Sequence, residues 1–139
     1  SKTPGRQQRE KNMSLVDANV VLRYLLDDHE ELSPKAADIL EKHSVKLPVE
    51  VGCEVVYVLQ KVYAVERKKI QQSLGDLLNE GLVSMDKPDV FLKALEYYGD
   101  STLDFVDTLL WAYQVIERQE VFTFDGKLLK YIQRSAGIR

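Results

Sequence analysis

A short apolar segment that runs into an aspartate, and from there into a helical pattern, occurs at both ends of this chain. Near the start it is Ser14-Leu15-Val16-Asp17, followed by Ala18-Asn19 and the apolar positions Val20, Val21, Leu22, Tyr24, Leu25 and Leu26. Near the end it is Glu120-Val121-Phe122-Thr123-Phe124-Asp125, followed by Gly126-Lys127-Leu128-Leu129. Each reads as strand, turn and helix, which puts Asp17 and Asp125 at the carboxyl ends of strands. Ligands bind at that edge in open α/β sheets, and right-handed crossovers between parallel strands keep such ends together. A simpler reading is that Asp17 or Asn19 caps the helix behind it, worth about 1 kcal/mol.

The chain between these ends alternates in the same way. Ser33-Pro34 opens a helix with a cap and a first-position proline, and Ala36, Ala37, Ile39 and Leu40 form its apolar stripe up to Ser44. Asp27–Glu31 is a polar connection in which His29 reads as a solvated loop residue. Val45-Lys46-Leu47 predicts a short strand, and Pro48 starts a helix from Val49 to Ala64 with Val51, Val55, Val58, Leu59 and Val62 at helical spacing. Val65–Asn79 predicts a helix with Ile70, Leu74, Leu77 and Leu78 inward. Its opening run Glu66-Arg67-Lys68-Lys69 faces outward, as a solvated face or an RNA or partner contact. Gly81 stops that helix, Leu82–Met85 predicts a strand, and Pro88-Asp89 opens a helix through Phe91, Leu92, Leu95 and Tyr98.

Two further acidic features need an explanation. In Ser101–Thr108, S-T-L-D-F-V-D-T, Asp104 and Asp107 stand three apart at the start of a helix predicted to reach Arg118, so both carboxylates share its first-turn face. Complementation of the helix dipole, with Ser101 or Thr102 as cap, is the plain account. Glu54 sits inside C-E-V-V-Y-V-L, a run suited to burial, where an ionised carboxylate needs a partner. Cys53 beside it reads as a small core residue, since no basic neighbour activates it.

Composition narrows the class. A chain of 139 residues with 45% hydrophobic content suits one domain with a core of its own, expected over residues 13–139. One cysteine excludes an internal disulfide framework, and with His29 and His43 it makes a poor zinc set. No apolar run approaches a membrane span and no secretory signal opens the chain, so a cytoplasmic location is expected. Residues 1–12 lack large apolar side chains and are expected to be a disordered leader or cloning remnant before a natural start at Met13. Lys2, Arg6, Arg9 and Lys11 against Glu10 leave that leader at +3 and the remainder at −6, against a total of −3. A chain so charged does not coat nucleic acid through a broad basic surface, although a cation-charged site can still handle phosphate.

V-D-A-N-V-V-L-R-Y-L-L, E-V-V-Y-V-L, L-D-F-V-D-T-L-L-W-A and V-F-T-F-D-G-K-L, in that order, resemble the four acidic motifs of PIN domains. The likeness is greatest to the toxin nucleases of the VapC group, and it covers Met13–Arg139. It implies a three-layer α/β sandwich with a small, mostly parallel central sheet of four or five strands flanked by helices. Position by position, it implies Asp17, Glu54, Asp107 and Asp125 as the four catalytic acids and metal ligands. Asp104 would be a further ligand at a more variable position, and Asn19 and Thr123 would support the acids. Glu50 has no counterpart among these motifs. The short C-terminus departs from the usual pattern and bears on a last strand, not on the acids.

The implied chemistry is hydrolysis of RNA phosphodiester bonds with Mg²⁺ or Mn²⁺, hard cations that take oxygen ligands. The implied partners are an RNA substrate, a cognate antitoxin and a second copy in a homodimer. One alternative keeps the fold without the chemistry, as a scaffold binding RNA or protein. Another makes Asp17 the nucleophile of a phosphohydrolase or the acceptor of a receiver-like domain, with Lys127 as the late lysine. Neither of those two classes accounts for Glu54 or the Asp104/Asp107 pair.

Overall fold

The computed structural model describes residues 13–138, so the expectation for residues 1–12 lies outside the described residues. Strand β1, Ser14–Leu15, pairs in parallel with β2, Val45–Lys46, with Ser14 opposite Val45 and Leu15 opposite Lys46. Helix α1, Ala18–Leu26, follows β1, and helix α2, Leu32–Lys42, returns the chain to β2. Helix α3, Val49–Lys61, leaves β2 immediately after Pro48, whose fixed φ and missing N–H suit a helix entrance. Because the two strands are parallel, α1 and α3 start from the same edge of the sheet. Helices α4 (Arg67–Asn79), α5 (Pro88–Asp100), α6 (Phe105–Glu117) and α7 (Gly126–Ile138) complete the chain.

The α/β class holds, but the described residues form two strands rather than the expected four or five. Leu82–Met85 contributes a single parallel bridge, Ser84 to Lys46, before Asp86, Lys87 and Pro88 turn the chain into α5. At that bridge the Leu47 N–H donates to the Ser84 carbonyl at 2.8 Å and the Ser84 N–H to the Val45 carbonyl at 2.9 Å. Among the described residues, the segment predicted as a strand before Asp125 has no strand partner. Val121 packs into a cluster around Trp111, while Phe122 and Phe124 are 86% and 109% exposed. Strand propensity in this segment is not enough, because a strand needs a partner edge and here the apolar contact is made to helices.

The main core lies between α1, α3, α4, α5 and α6, where Val21, Val55, Ile70, Leu74, Phe91 and Tyr98 are closed to water. Helix α5 packs on both α4 and α6, and α1 on α2 and α3. A second cluster seats α7: Trp111 stacks on Tyr97 with ring centroids 3.6 Å apart and 7° between planes, and Leu128 and Ile132 close over it. The Trp111 indole N–H donates to Ser135 Oγ at 2.7 Å, and Gln114 Nε2 donates to the Ile132 carbonyl at 3.2 Å. The α2 entrance differs from expectation: Glu31 holds the cap position, and Ser33, already helical, accepts the His29 N–H on Oγ at 3.1 Å. His29 is exposed, and its Nδ1 accepts from the backbone N–H groups of Leu32 (2.9 Å) and Glu31 (3.2 Å). Helix α3 ends before Ala64, whose φ of 53° is left-handed.

Candidate active site

Each acid stands where a helix begins or makes its early turns. Asp17 caps α1, its Oδ1 accepting the Val20 N–H at 3.1 Å. Asp125 stands in the same relation to α7, its Oδ1 accepting the Leu128 N–H at 2.9 Å. Capping engages one oxygen of each carboxylate and leaves the other for a further ligand, so the capping and functional readings are compatible. Thr123 acts on Asp125 directly: its Oγ1 accepts the Asp125 backbone N–H at 3.0 Å and sets the turn that aims the acid. Asn19 is exposed in the first turn of α1.

Asp104 occupies the cap position of α6 with its side chain free of any capping bond, while its carbonyl accepts the Thr108 N–H at 3.1 Å. Asp107 lies in the first turn. Its carboxyl is held above the ordinary carboxylate range by burial first, then by the charges of Asp125 and of Asp104. Asp107 therefore feels the charges of Asp125 and Asp104 across the starts of α6 and α7. Asp17 and Glu54 are not among the charges that act on Asp107. Glu54 is exposed on α3, which corrects the expectation that it is a charge embedded in the core. Val55, Val56 and Leu59 take the inward positions and turn Glu54 outward.

The loop that delivers Asp104 and Asp107 is held from two sides. Arg67 Nη1, at the start of α4, donates to the carbonyls of Leu103 (2.7 Å) and Tyr98 (3.2 Å), with the guanidinium 4.2 Å from the Tyr98 ring centre. Arg67 was expected in an outward-facing run and instead turns in to satisfy backbone oxygens. Its neighbour Lys68 pairs with Asp100, and Lys127 donates to the Thr102 carbonyl at 3.3 Å. Lys127 thus ties α7 to the loop, a task unlike that of a phosphate-site lysine. Sequence alone did not single out Arg67, because four consecutive charged residues carry no sign of which one turns inward.

A family model for the PIN domain matches residues 14–133. The chain belongs to the PIN domain family. No curated protein and no solved structure is similar enough to the chain to count as a match. PIN domains are generally nucleases, and they typically use divalent metal ions. The acids of this PIN domain suit such an ion by donor type, since a hard cation prefers carboxylate oxygens. The raised Asp107 carboxyl is a second sign of fit, because negative charge accumulates there without a neutralising base. Among the described residues, no three His, Cys, Asp or Glu side chains stand together closely enough to hold an ion as they are placed. The geometry therefore brings Asp104, Asp107 and Asp125 into electrostatic contact and sets Asp17 at the sheet edge where α1 and α3 begin. Among the described residues, no helix is long and apolar enough to cross a membrane.

Proposed function

We propose that this PIN domain is a divalent-metal-dependent endoribonuclease and the toxin of a toxin–antitoxin pair. The observation that carries the nuclease reading is the convergence of Asp104 and Asp125 on Asp107 within a chain matched to the PIN family over residues 14–133. The toxin reading is supported by the likeness of the four motif strings to the VapC group. Asp17, Glu54, Asp107 and Asp125 would hold Mg²⁺ or Mn²⁺, with Asp104 as a further ligand and Asn19 and Thr123 steadying them. When bound, the ion neutralises phosphate charge and activates water for in-line attack on the phosphodiester. The chain's own contribution is positional. Helix starts fix one oxygen of Asp17 and of Asp125, and the Arg67 and Lys127 bonds fix the loop before Asp104.

A basic antitoxin segment suits the −6 charge of the chain beyond its first twelve residues. A second copy or an antitoxin would also cover Phe122 and Phe124, two aromatic side chains that stand in solvent. The test is cleavage of total cellular RNA by the purified chain with Mg²⁺ or Mn²⁺, with excess chelator, and with Asp107→Asn and Asp17→Asn alongside. Discrete fragments that need both the metal and the two acids are expected. Cleavage that survives chelation and both substitutions overturns the reading. A folded protein that binds RNA without cutting it favours the scaffold.

A further inference from the structure

A cleft of about 400 Å³ opens between α3 and the start of α6, next to the acids, and it falls in the usual size range of small-ligand sites, about 300–1,000 Å³. Val56, Tyr98 and Phe105 line it, and so do Asp104 and Asp107. Tyr57 and Lys61 line it from the exposed side of α3, and Gln60 lies between them. One feature of the cleft points to a ligand. Tyr57 is 62% exposed, a large aromatic ring kept at the mouth of an apolar slot.

We propose that this cleft is a subsite for one base of a single-stranded RNA, and the proposal rests on the nuclease reading above. An exposed aromatic ring beside an apolar slot suits a nucleobase, because every base has a face to stack and an edge with donors and acceptors. Lys61 at the rim attracts the phosphate that joins the bound nucleotide to its neighbour and opposes a cationic peptide. Glu54, Tyr57 and Lys61 recur at i, i+3 and i+7 on α3, so one helix face carries an assigned acid, the stacking ring and the phosphate contact. The base held here is a flanking nucleotide of the scissile bond, and the subsite sets which base the enzyme prefers beside the cut.

The test uses the full chain and a fluorescent, cleavage-resistant oligoribonucleotide of about ten nucleotides, within the span single-strand sites cover. Binding is read by anisotropy in Mg²⁺, with abasic nucleotides placed at each position in turn. Tyr57→Ala should weaken binding about tenfold and Tyr57→Trp should retain it, as expected for loss and retention of one stacked base. The Tyr57→Ala penalty should vanish when the abasic site falls at one particular position. If the parent binds and cuts RNA but Tyr57→Ala binds as tightly, or loses equally at every abasic position, the subsite is overturned and the nuclease reading stands. Tyr57-dependent binding of an apolar peptide in place of the oligonucleotide also overturns it. A parent that neither binds nor cuts RNA overturns both readings together.

Discussion

The charge of Asp125, at the start of α7, reaches Asp107, in the first turn of α6, and helps hold its carboxyl above the ordinary range. Two helix starts that belong to different parts of the sequence are thus coupled through their acids. The coupling costs stability, because the folded state resists the charged form that neutral pH imposes.

Asp107→Asn should therefore make the metal-free protein slightly more stable at neutral pH while abolishing cleavage. A carboxyl raised in the folded state loses nothing below its unfolded pKa; the penalty grows as pH climbs through the raised value and persists above it. The melting temperatures of parent and variant should then coincide near pH 3.5 and separate by about 1–3 °C at pH 7, in favour of the variant, as a sub-kcal/mol effect requires. Added Mg²⁺ should reverse the order by stabilising the parent alone, since binding to the native state raises its stability. Thermal melts across pH, with and without metal, check each part.

Arg67 is the second lever on the site. Its two bonds to the carbonyls of Tyr98 and Leu103 are made by a charged donor to part-buried oxygens. Arg67→Ala leaves those carbonyls short of a partner and should cost about 2–3 kcal/mol in urea denaturation. Arg67→Lys keeps a charged donor but gives up the planar guanidinium stacked 4.2 Å from the Tyr98 ring centre, and should recover only part of that. Cleavage should fall in both variants although Arg67 lies outside the acid group, because the loop leading to Asp104 is what the bonds hold.

How much of this was legible in the sequence follows from how local each signal is. Pro48 and Pro88 mark helix entrances through their own covalent geometry, and both helices begin there. Asp17 announces itself as a capping acid through its place just before a helical pattern. The segment before Asp125 shows the limit: alternating Val121, Phe122, Thr123 and Phe124 states a preference for extension, but pairing depends on an edge far away in sequence, and Val121 packs on helices. Glu54 was misplaced because its neighbours are apolar on both sides, whereas burial on a helix follows the face. Arg67 carries no local signal of its role, since its partners lie 31 and 36 residues away.

Cys53 should be a slow thiol. It is half-buried at the edge of the core, and burial, followed by the charge of Glu50, pushes its pKa up. Only the thiolate reacts, so labelling by a disulfide reagent at pH 7.5 should be several-fold slower than for a free thiol and should accelerate steadily above pH 9. Glu50→Gln should speed labelling modestly, while the main barrier, burial, remains. Since Cys53 also lines the cleft beside Asp107, a bound oligonucleotide should slow the reaction further.

Two glycines in helix interiors should respond oppositely to the same substitution. At Gly75, on α4, an added Cβ meets nothing within 4 Å, so Gly75→Ala should stabilise by about 1 kcal/mol from helix propensity alone. At Gly52, on α3, the added carbon falls 2.8 Å from both Cε1 and Cζ of Phe91, a ring that is only 1% exposed and cannot swing away. The overpacking cost of about 1–3 kcal/mol cancels or exceeds the same propensity gain, for a net loss of up to about 2 kcal/mol. Phe91 also packs edge-on against Phe105 at 5.1 Å, between Asp104 and Asp107 in the chain. Gly52→Ala should therefore reduce RNA cleavage at temperatures where it is still folded, and Gly75→Ala should not; urea curves and initial rates on the two variants decide it.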